Sequence, residues 1–272
     1  MIHDAPYVML TDPLLLEQFL DRFGIDRDAL EGVLISSVAA AFSRIPYENL
    51  TKIIKSETIV SPRSAMRLPD ELIGDYLRWG TGGTCFSLTA AIVAVYEALG
   101  IEAHPVLADR HYGPDTHCGV MIFHNGQLLL LDPGYLLFEP ALLCPTESTV
   151  IETGTNIIEL KPLMNGKRVE LHTVYRKNRK LRLTYKIVPV DSVQFARAWE
   201  SSFAWEMMTY PVLTRRSNGH QQYLQGNRFA VYSQNDSQRF ELTSETRAGL
   251  ISSTFGIDPS IIKKAMGVIK NG

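Results

Sequence analysis

Three side chains in this chain can do thiol chemistry together: Cys85, His117 and Asp132. Cys85 lies in the run Gly82-Gly83-Thr84-Cys85-Phe86, at the head of an almost wholly apolar stretch that ends at Gly100. A cysteine is a nucleophile only as the thiolate. The first turn of a helix offers free N–H groups and partial positive charge, and both favour that anion. Gly82 and Gly83 leave room for a substrate and for N–H donors aimed at an oxyanion. A buried structural cysteine is the bland alternative. The Gly-Gly run at a helix start favours the nucleophile.

His117 and Asp132 fall on the two arms of one expected β-hairpin. Asn125-Gly126 is the strongest hairpin signal in the chain. A two-residue turn there pairs His124 with Gln127 and sets Gly119 opposite Asp132. His117 then shares a face with Asp132 as its diagonal neighbour, about 7–8 Å away at Cα. A carboxylate on one imidazole nitrogen fixes the tautomer and raises the basicity of the other. The same count puts Cys118 on the opposite face with Val120 and Ile122, apart from His117. His104, His111, His117, Cys118 and His124 match no usual zinc spacing, so no metal is expected.

The elements that must hold these residues fall into three stretches, and the fold class is α+β. Residues 1–98 read as a helical bundle, with helices at Leu14–Leu20, Ala29–Phe42, Pro69–Leu77 and Cys85–Leu99. Thr84 is a candidate N-cap for the last, and Gly100 fits its C-terminal stop. Residues 99–191 read as strands at Ala103–Leu107, Gly119–Phe123, Leu128–Leu131, Val169–Tyr175 and Arg182–Val188. Residues 192–272 are mixed. They hold a helix over Gln194–Met208, strands at Phe229–Tyr232 and Arg239–Leu242, and helices at Ser244–Thr254 and Pro259–Met266. Trp199, Phe203, Trp205, Met207 and Met208 recur at near-helical spacing as core, or as a lid contact. The basic run from Arg176 to Lys180 reads as a solvated turn between strands rather than a phosphate site.

Composition sets the outer bounds. With 272 residues, 45% hydrophobic and 21% charged, the chain can bury a substantial core. A net charge of −2 gives no general attraction to nucleic acid or acidic membranes. The start, Met1 to Pro6, has neither the basic nor the apolar region of a signal peptide. Three widely spaced cysteines argue against a disulfide framework, which makes the cytoplasm the expected compartment.

Four ordered motifs resemble the arylamine N-acetyltransferase family. They are Arg44-Ile45-Pro46-Tyr47-Glu48-Asn49-Leu50, Gly82-Gly83-Thr84-Cys85-Phe86, Thr116-His117-Cys118-Gly119-Val120 and Leu131-Asp132-Pro133-Gly134-Tyr135. The resemblance is strongest from Arg44 to Glu139 and weaker around Phe203 to Thr214. It implies a helical bundle, a central antiparallel β-barrel-like domain and a C-terminal α/β lid, with a core like that of cysteine proteases and transglutaminases. It places a catalytic triad on Cys85, His117 and Asp132. It also implies a ping-pong reaction: acetyl-CoA acylates Cys85, and an arylamine, hydrazine or N-hydroxyarylamine takes the acyl group. Gly113 and Thr116 become candidate contacts to CoA, and Tyr135 and Phe138 candidate substrate-binding residues.

The chain departs from the family at three places. Thr81 stands where the family has an arginine, and Ser87 where it has a glutamate. Glu48 therefore lacks its expected partner, for which Arg44 and Arg78 are candidate substitutes. Tyr135 brings a hydroxyl where the family has an apolar ring. Two other readings stay open. One is a transglutaminase-like or natural-product acyltransferase or hydrolase using the same triad with another donor or acceptor. The other is a non-catalytic descendant that kept the fold.

Overall fold

Asp12-Pro13 begins the first helix, α1 (Pro13–Phe23), where the Asp12 carboxylate accepts from the Leu14 N–H at 2.9 Å. The structure is a computed structural model that describes residues 6–59, 61–175, 178–234 and 236–271. Helix α2 (Glu31–Phe42) follows, then a two-residue strand β1 (Tyr47–Glu48). Helices α3 (Leu50–Thr58), α4 (Pro62–Ala65), α5 (Pro69–Trp79) and α6 (Cys85–Ala98) complete this part. Every residue of α6 from Cys85 to Tyr96 is buried, as its all-round apolar surface requires. The chain leaves α6 through paired bonds, Gly100 N–H to the Glu97 carbonyl at 3.0 Å and Ile101 N–H to the Tyr96 carbonyl at 2.9 Å.

Eight antiparallel strands come next. They are β2 (Ala103–Arg110), β3 (Gly113–His124), β4 (Gln127–Asp132), β5 (Leu137–Leu142), β6 (Thr149–Glu152), β7 (Ile157–Leu163), β8 (Arg168–Tyr175) and β9 (Asn178–Lys186). Their order in the sheet is β5-β4-β3-β2-β9-β8-β7-β6. The Thr149 hydroxyl donates to the Leu142 carbonyl at 2.5 Å, so the two edge strands meet and the sheet is nearly closed. Alternation along the strands divides two cores. Met121, Leu130, Leu171 and Leu183 pack within the curled sheet, whereas Val120, Ile122 and Leu131 face the helices. Arg176 and Lys177, which open the expected basic turn, lie outside the described residues.

The C-terminal stretch starts with α7 (Ser192–Ser201), then forms a five-stranded sheet and two helices. The new strands are β10 (Val212–Ser217), β11 (His220–Gln225), β12 (Arg228–Tyr232) and β13 (Ser237–Glu241), followed by α8 (Ser244–Phe255) and α9 (Pro259–Asn271). The sheet order is β1-β10-β11-β12-β13, so its edge strand comes from the first stretch of the chain. The expected single helix over Gln194–Met208 is corrected: it stops at Ser201 and continues as two short 3₁₀ turns. Tertiary bonds claim the backbone there, because Lys52 Nζ donates to the Ser202 carbonyl at 2.9 Å and Asn49 Nδ2 to the Met207 carbonyl at 2.5 Å. Among the described residues no helix is long and apolar enough to cross a membrane.

Asn49 is wholly buried and joins these stretches: Nδ2 also reaches the Tyr210 carbonyl at 2.8 Å, and Oδ1 accepts from the Val212 N–H at 2.8 Å. Asn49→Ala orphans three backbone groups and is expected to cost about 2–4 kcal/mol. Urea denaturation at neutral pH measures this directly.

Candidate active site

The position of Cys85 is set by the segment before it. Tyr47 pairs with Gly83 in an isolated parallel bridge, with Glu48 N–H donating to the Gly83 carbonyl at 3.0 Å and Gly83 N–H to the Pro46 carbonyl at 3.3 Å. A Cβ on Gly82 would lie 1.7 Å from the Pro46 oxygen. Glycine is required there by the protein's own backbone, not, as expected from sequence, to make room for a substrate. Thr84 takes the extended conformation of an N-cap, but its side chain makes no capping bond. The Ser87 hydroxyl donates instead to the Thr84 carbonyl at 3.1 Å. Cys85 then opens α6 with 3% of its surface exposed. Opposite it, a Cβ on Gly134 would fall 2.6 Å from Cys85 Cβ and 3.1 Å from His117 Cε1, so the Pro133-Gly134 corner packs against Cys85 and His117.

The β3–β4 hairpin has the register counted from Asn125-Gly126, with His124 opposite Gln127 and Val120 opposite Leu131. His117 Nε2 and Asp132 Oδ2 are 2.5 Å apart, both buried. Asp132 is held further by the Tyr185 hydroxyl, donating to Oδ2 at 2.6 Å, and by the Tyr135 N–H, donating to Oδ1 at 2.8 Å. Tyr185 stands on β9 beside β2, and nothing in its strand pattern announces this role. The other ring nitrogen, Nδ1, lies 2.9 Å from an Arg110 guanidinium nitrogen. A guanidinium has only donors, so Nδ1 accepts here and the ring proton on Nε2 is donated to Asp132.

Burial works against a charged His117, but Asp132 outweighs it and raises the imidazole above its ordinary range, with Arg110 opposing. The Cys85 thiol is held well below its usual value by a hydrogen bond from Cys118, against the penalty of burial, and further by His117 and Arg110. Burial and the bond to Cys85 together push Cys118 up. Cys118 is on the face opposite His117, as counted, but that does not take it away from Cys85. The face opposite His117 is the one packed on α6, so Cys118 and Cys85 share an apolar cluster.

Glu48 has a basic partner, and it is neither Arg44 nor Arg78. Arg44 lies over the Phe23 ring and Arg78 over Trp79. Arg67, 3% exposed, comes within 3.6 Å of Glu48, donates to Thr51 Oγ1 at 2.7 Å and to the Gly82 carbonyl, and pairs with Asp75 at 2.7 Å. The Glu48 carboxylate also accepts from Thr51 N–H at 3.0 Å and from the Thr51 hydroxyl. Thr81 is buried with its hydroxyl unpaired. The one sequence cue to Arg67 is its isolation in Ala65-Met66-Arg67-Leu68-Pro69, a charge amid mostly apolar residues.

The remaining candidates are dispersed. The Tyr135 ring stands edge-on to His117 at 6.3 Å between centroids, its hydroxyl made less acidic by burial. Phe138 packs on the helical core and lines a cleft of about 300 Å³ with Glu139 and Arg216; none of the three proposed chemical residues lines it. Gly113 and Thr116 begin β3, where the Thr116 hydroxyl donates to the Gly113 carbonyl at 2.9 Å. Trp199 is core, stacked on Phe86, whereas Phe203 and Trp205 are half-buried above Lys52, whose Nζ lies 4.2 Å and 5.7 Å from their ring centres. Burial pushes the Lys52 amine down to about 7, with Cys85 opposing. Among the described residues, no group of three or more His, Cys, Asp or Glu is arranged to hold a metal ion.

No protein-family model matches the sequence, and no curated protein matches it. Solved structures do share its fold. The arylamine N-acetyltransferase of Mycobacterium abscessus superposes with a TM-score of 0.79 over 94% of this chain and 94% of that one, at 16% identity. The Mycobacterium marinum enzyme in complex with CoA gives 0.76 over 94% and 98%, at 17% identity. An arylamine N-acetyltransferase of Bacillus cereus, described as having a unique Cys-His-Glu catalytic triad, gives 0.72 over 92% and 100%, at 19% identity. The chain thus has the arylamine N-acetyltransferase fold.

Two outcomes are expected. Arg67→Met leaves Glu48 buried without its cation and should cost about 3–5 kcal/mol in urea denaturation, with much of the loss recovered in the Glu48→Gln/Arg67→Met double variant. Lys52 has a folded value near 7 and an unfolded value of 10.5. Between these the unfolded chain holds a proton the folded one has shed, so its contribution makes stability rise with pH above about 7, while below 7 the burial penalty is in full force. Denaturation at pH 6.5, 8 and 9 should show this slope, flattened in Lys52→Met.

Proposed function

We propose that this protein is a cysteine-dependent acyltransferase that moves an acetyl or related acyl group from acetyl-CoA to an arylamine, hydrazine or N-hydroxyarylamine. The observation that carries the reading is the meeting of Cys85, at the head of a buried helix, with the bonded His117–Asp132 pair, on the fold of the arylamine N-acetyltransferases. In this reading Cys85, His117 and Asp132 are the catalytic triad. The residues past 191 act as a lid over a cysteine-protease-like core built from 1–98 and 99–191. Gly113 and Thr116 contact CoA, and Tyr135 and Phe138 the acceptor.

The Cys85 thiolate attacks the acyl carbonyl carbon, and the N–H groups left free in the first turn of α6 receive the oxyanion. The C–S bond to CoA breaks and CoA departs as its thiolate, which is protonated by solvent. The acceptor nitrogen then attacks the Cys85 thioester. His117 Nδ1 takes its proton while Asp132 keeps the ring oriented through Nε2, and Cys85 leaves as thiolate. Arg67 gives Glu48 the cation that Thr81 does not supply, so the departure there gives no reason to prefer another acceptor chemistry.

The test is intact-protein mass spectrometry after incubation with acetyl-CoA and longer acyl-CoAs. A single acyl adduct is expected on the wild type and none on Cys85→Ala. Failure of every acyl-CoA to label the wild type overturns the CoA assignment.

A further inference from the structure

Arg110 is a cation with no direct ion pair among the described residues. Its neighbouring acids are engaged elsewhere: Asp109 with Arg168 at 2.5 Å and Lys186 at 2.8 Å, and Asp115 with Lys186 at 2.6 Å. Asp132 lies beyond the imidazole, its oxygens taken by His117, Tyr185 and the Tyr135 amide. Arg110 Nε is shielded from solvent and has no hydrogen-bond partner, and among the described residues the guanidinium's one hydrogen bond is the 2.9 Å contact to His117 Nδ1. Its electrostatic neighbours are the Cys85 thiol, the Asp132 carboxylate across the imidazole, and the phenols of Tyr47, Tyr112, Tyr135, Tyr185 and Tyr223. A half-buried guanidinium so placed has neighbouring charges but no carboxylate in contact with it.

In the free protein the Cys85 thiolate supplies some of the missing negative charge. On the acyl-transfer reading, on which this inference rests, thioester formation removes that charge. It leaves Arg110 with only the Asp132 carboxylate across the imidazole, already bonded by three donors, and with the guanidinium still covering the nitrogen that must take the acceptor's proton. An anion arriving with a substrate solves both problems: it pairs with the guanidinium and draws it off Nδ1.

We propose that Arg110 is a specificity-determining residue that receives a carboxylate carried by the acyl group or by the acceptor amine. Planar bidentate pairing with a carboxylate is what a guanidinium does best, and it rewards the charged substrate over a neutral one of equal shape.

A first experiment needs no assumption about CoA. Cys85 is alkylated with iodoacetate and, separately, with iodoacetamide; in both the sulfur forms the new bond to carbon and iodide leaves. The ratio of the two rates at Cys85, followed by peptide mass spectrometry, is compared with that of N-acetylcysteine amide. Wild type should favour iodoacetate at least about tenfold over the model thiol, Arg110→Lys should keep part of the preference, and Arg110→Gln should lose it. Because each ratio compares two reagents on one thiolate, a change in thiol acidity cancels. Equal ratios in wild type and Arg110→Gln overturn the proposal, as does a Cys85 inert to both reagents.

Matched substrates then locate the carboxylate. A wild-type preference for succinyl-CoA over butyryl-CoA, lost in Arg110→Gln, assigns it to the acyl group. The same pattern for 4-aminobenzoate over 4-methylaniline assigns it to the acceptor. Neutral substrates equal to charged ones in both arms overturn the proposal while leaving acyl transfer standing. Failure of every acyl-CoA, with the alkylation preference intact, removes the acyl-CoA reading and leaves the carboxylate site.

Discussion

The approach of the Pro46 carbonyl to Gly82 governs the rest of the site. It lets Tyr47 and Glu48 lie along Gly83, and so fixes the backbone that delivers Cys85 into the first turn of α6. The contact brings a buried carboxylate, Glu48, into the interior, and buried charge must be compensated. Arg67 does this and holds the Gly82 carbonyl with the same guanidinium. The placement of Cys85 and internal charge balance are therefore one structural problem with one solution.

The hairpin reaches the same point from the other side. His117 is oriented by a carboxylate that is itself held by three donors, so the ring has little freedom about its bond to Asp132. The thiol beside it takes a proton-sharing contact from Cys118 and lies within reach of Arg110. Against burial, Cys118, His117 and Arg110 favour the anion. The apolar wall formed by Phe86, Phe195 and Trp199 excludes water and magnifies each of these contributions.

Much of this was legible in the sequence, for identifiable reasons. Cys85, His117 and Asp132 sit in elements with strong local signals: an apolar helix stopped by Gly100 and a hairpin pinned by Asn125-Gly126. Local counting therefore placed His117 beside Asp132, and the four motifs carried the fold. What was lost depends on contacts far apart in the chain. Arg67 meets Glu48 only through the packing of α4, α5 and β1, and Tyr185 meets Asp132 only through the crossing of β9 beside β2. Cys118 was assigned the right face without its neighbour Cys85, because a strand pattern does not say which helix will cover it. The short helix α3 and strands β10 and β11 carry mixed polar and apolar residues, since they bury only one side or face.

Strand β1 has a further consequence for how the molecule is made. It is an edge strand of the C-terminal sheet, and Asn49 beside it bonds to a residue 163 positions away. The segment that fixes Cys85 thus stays without its sheet partner until Val212 has left the ribosome and found it. Closing so long a loop is slow and comes late. The surroundings of Cys85 thus depend on one of the longest loop closures in the chain, and a chain lacking the C-terminal sheet has no β10 on which to seat Tyr47 and Glu48.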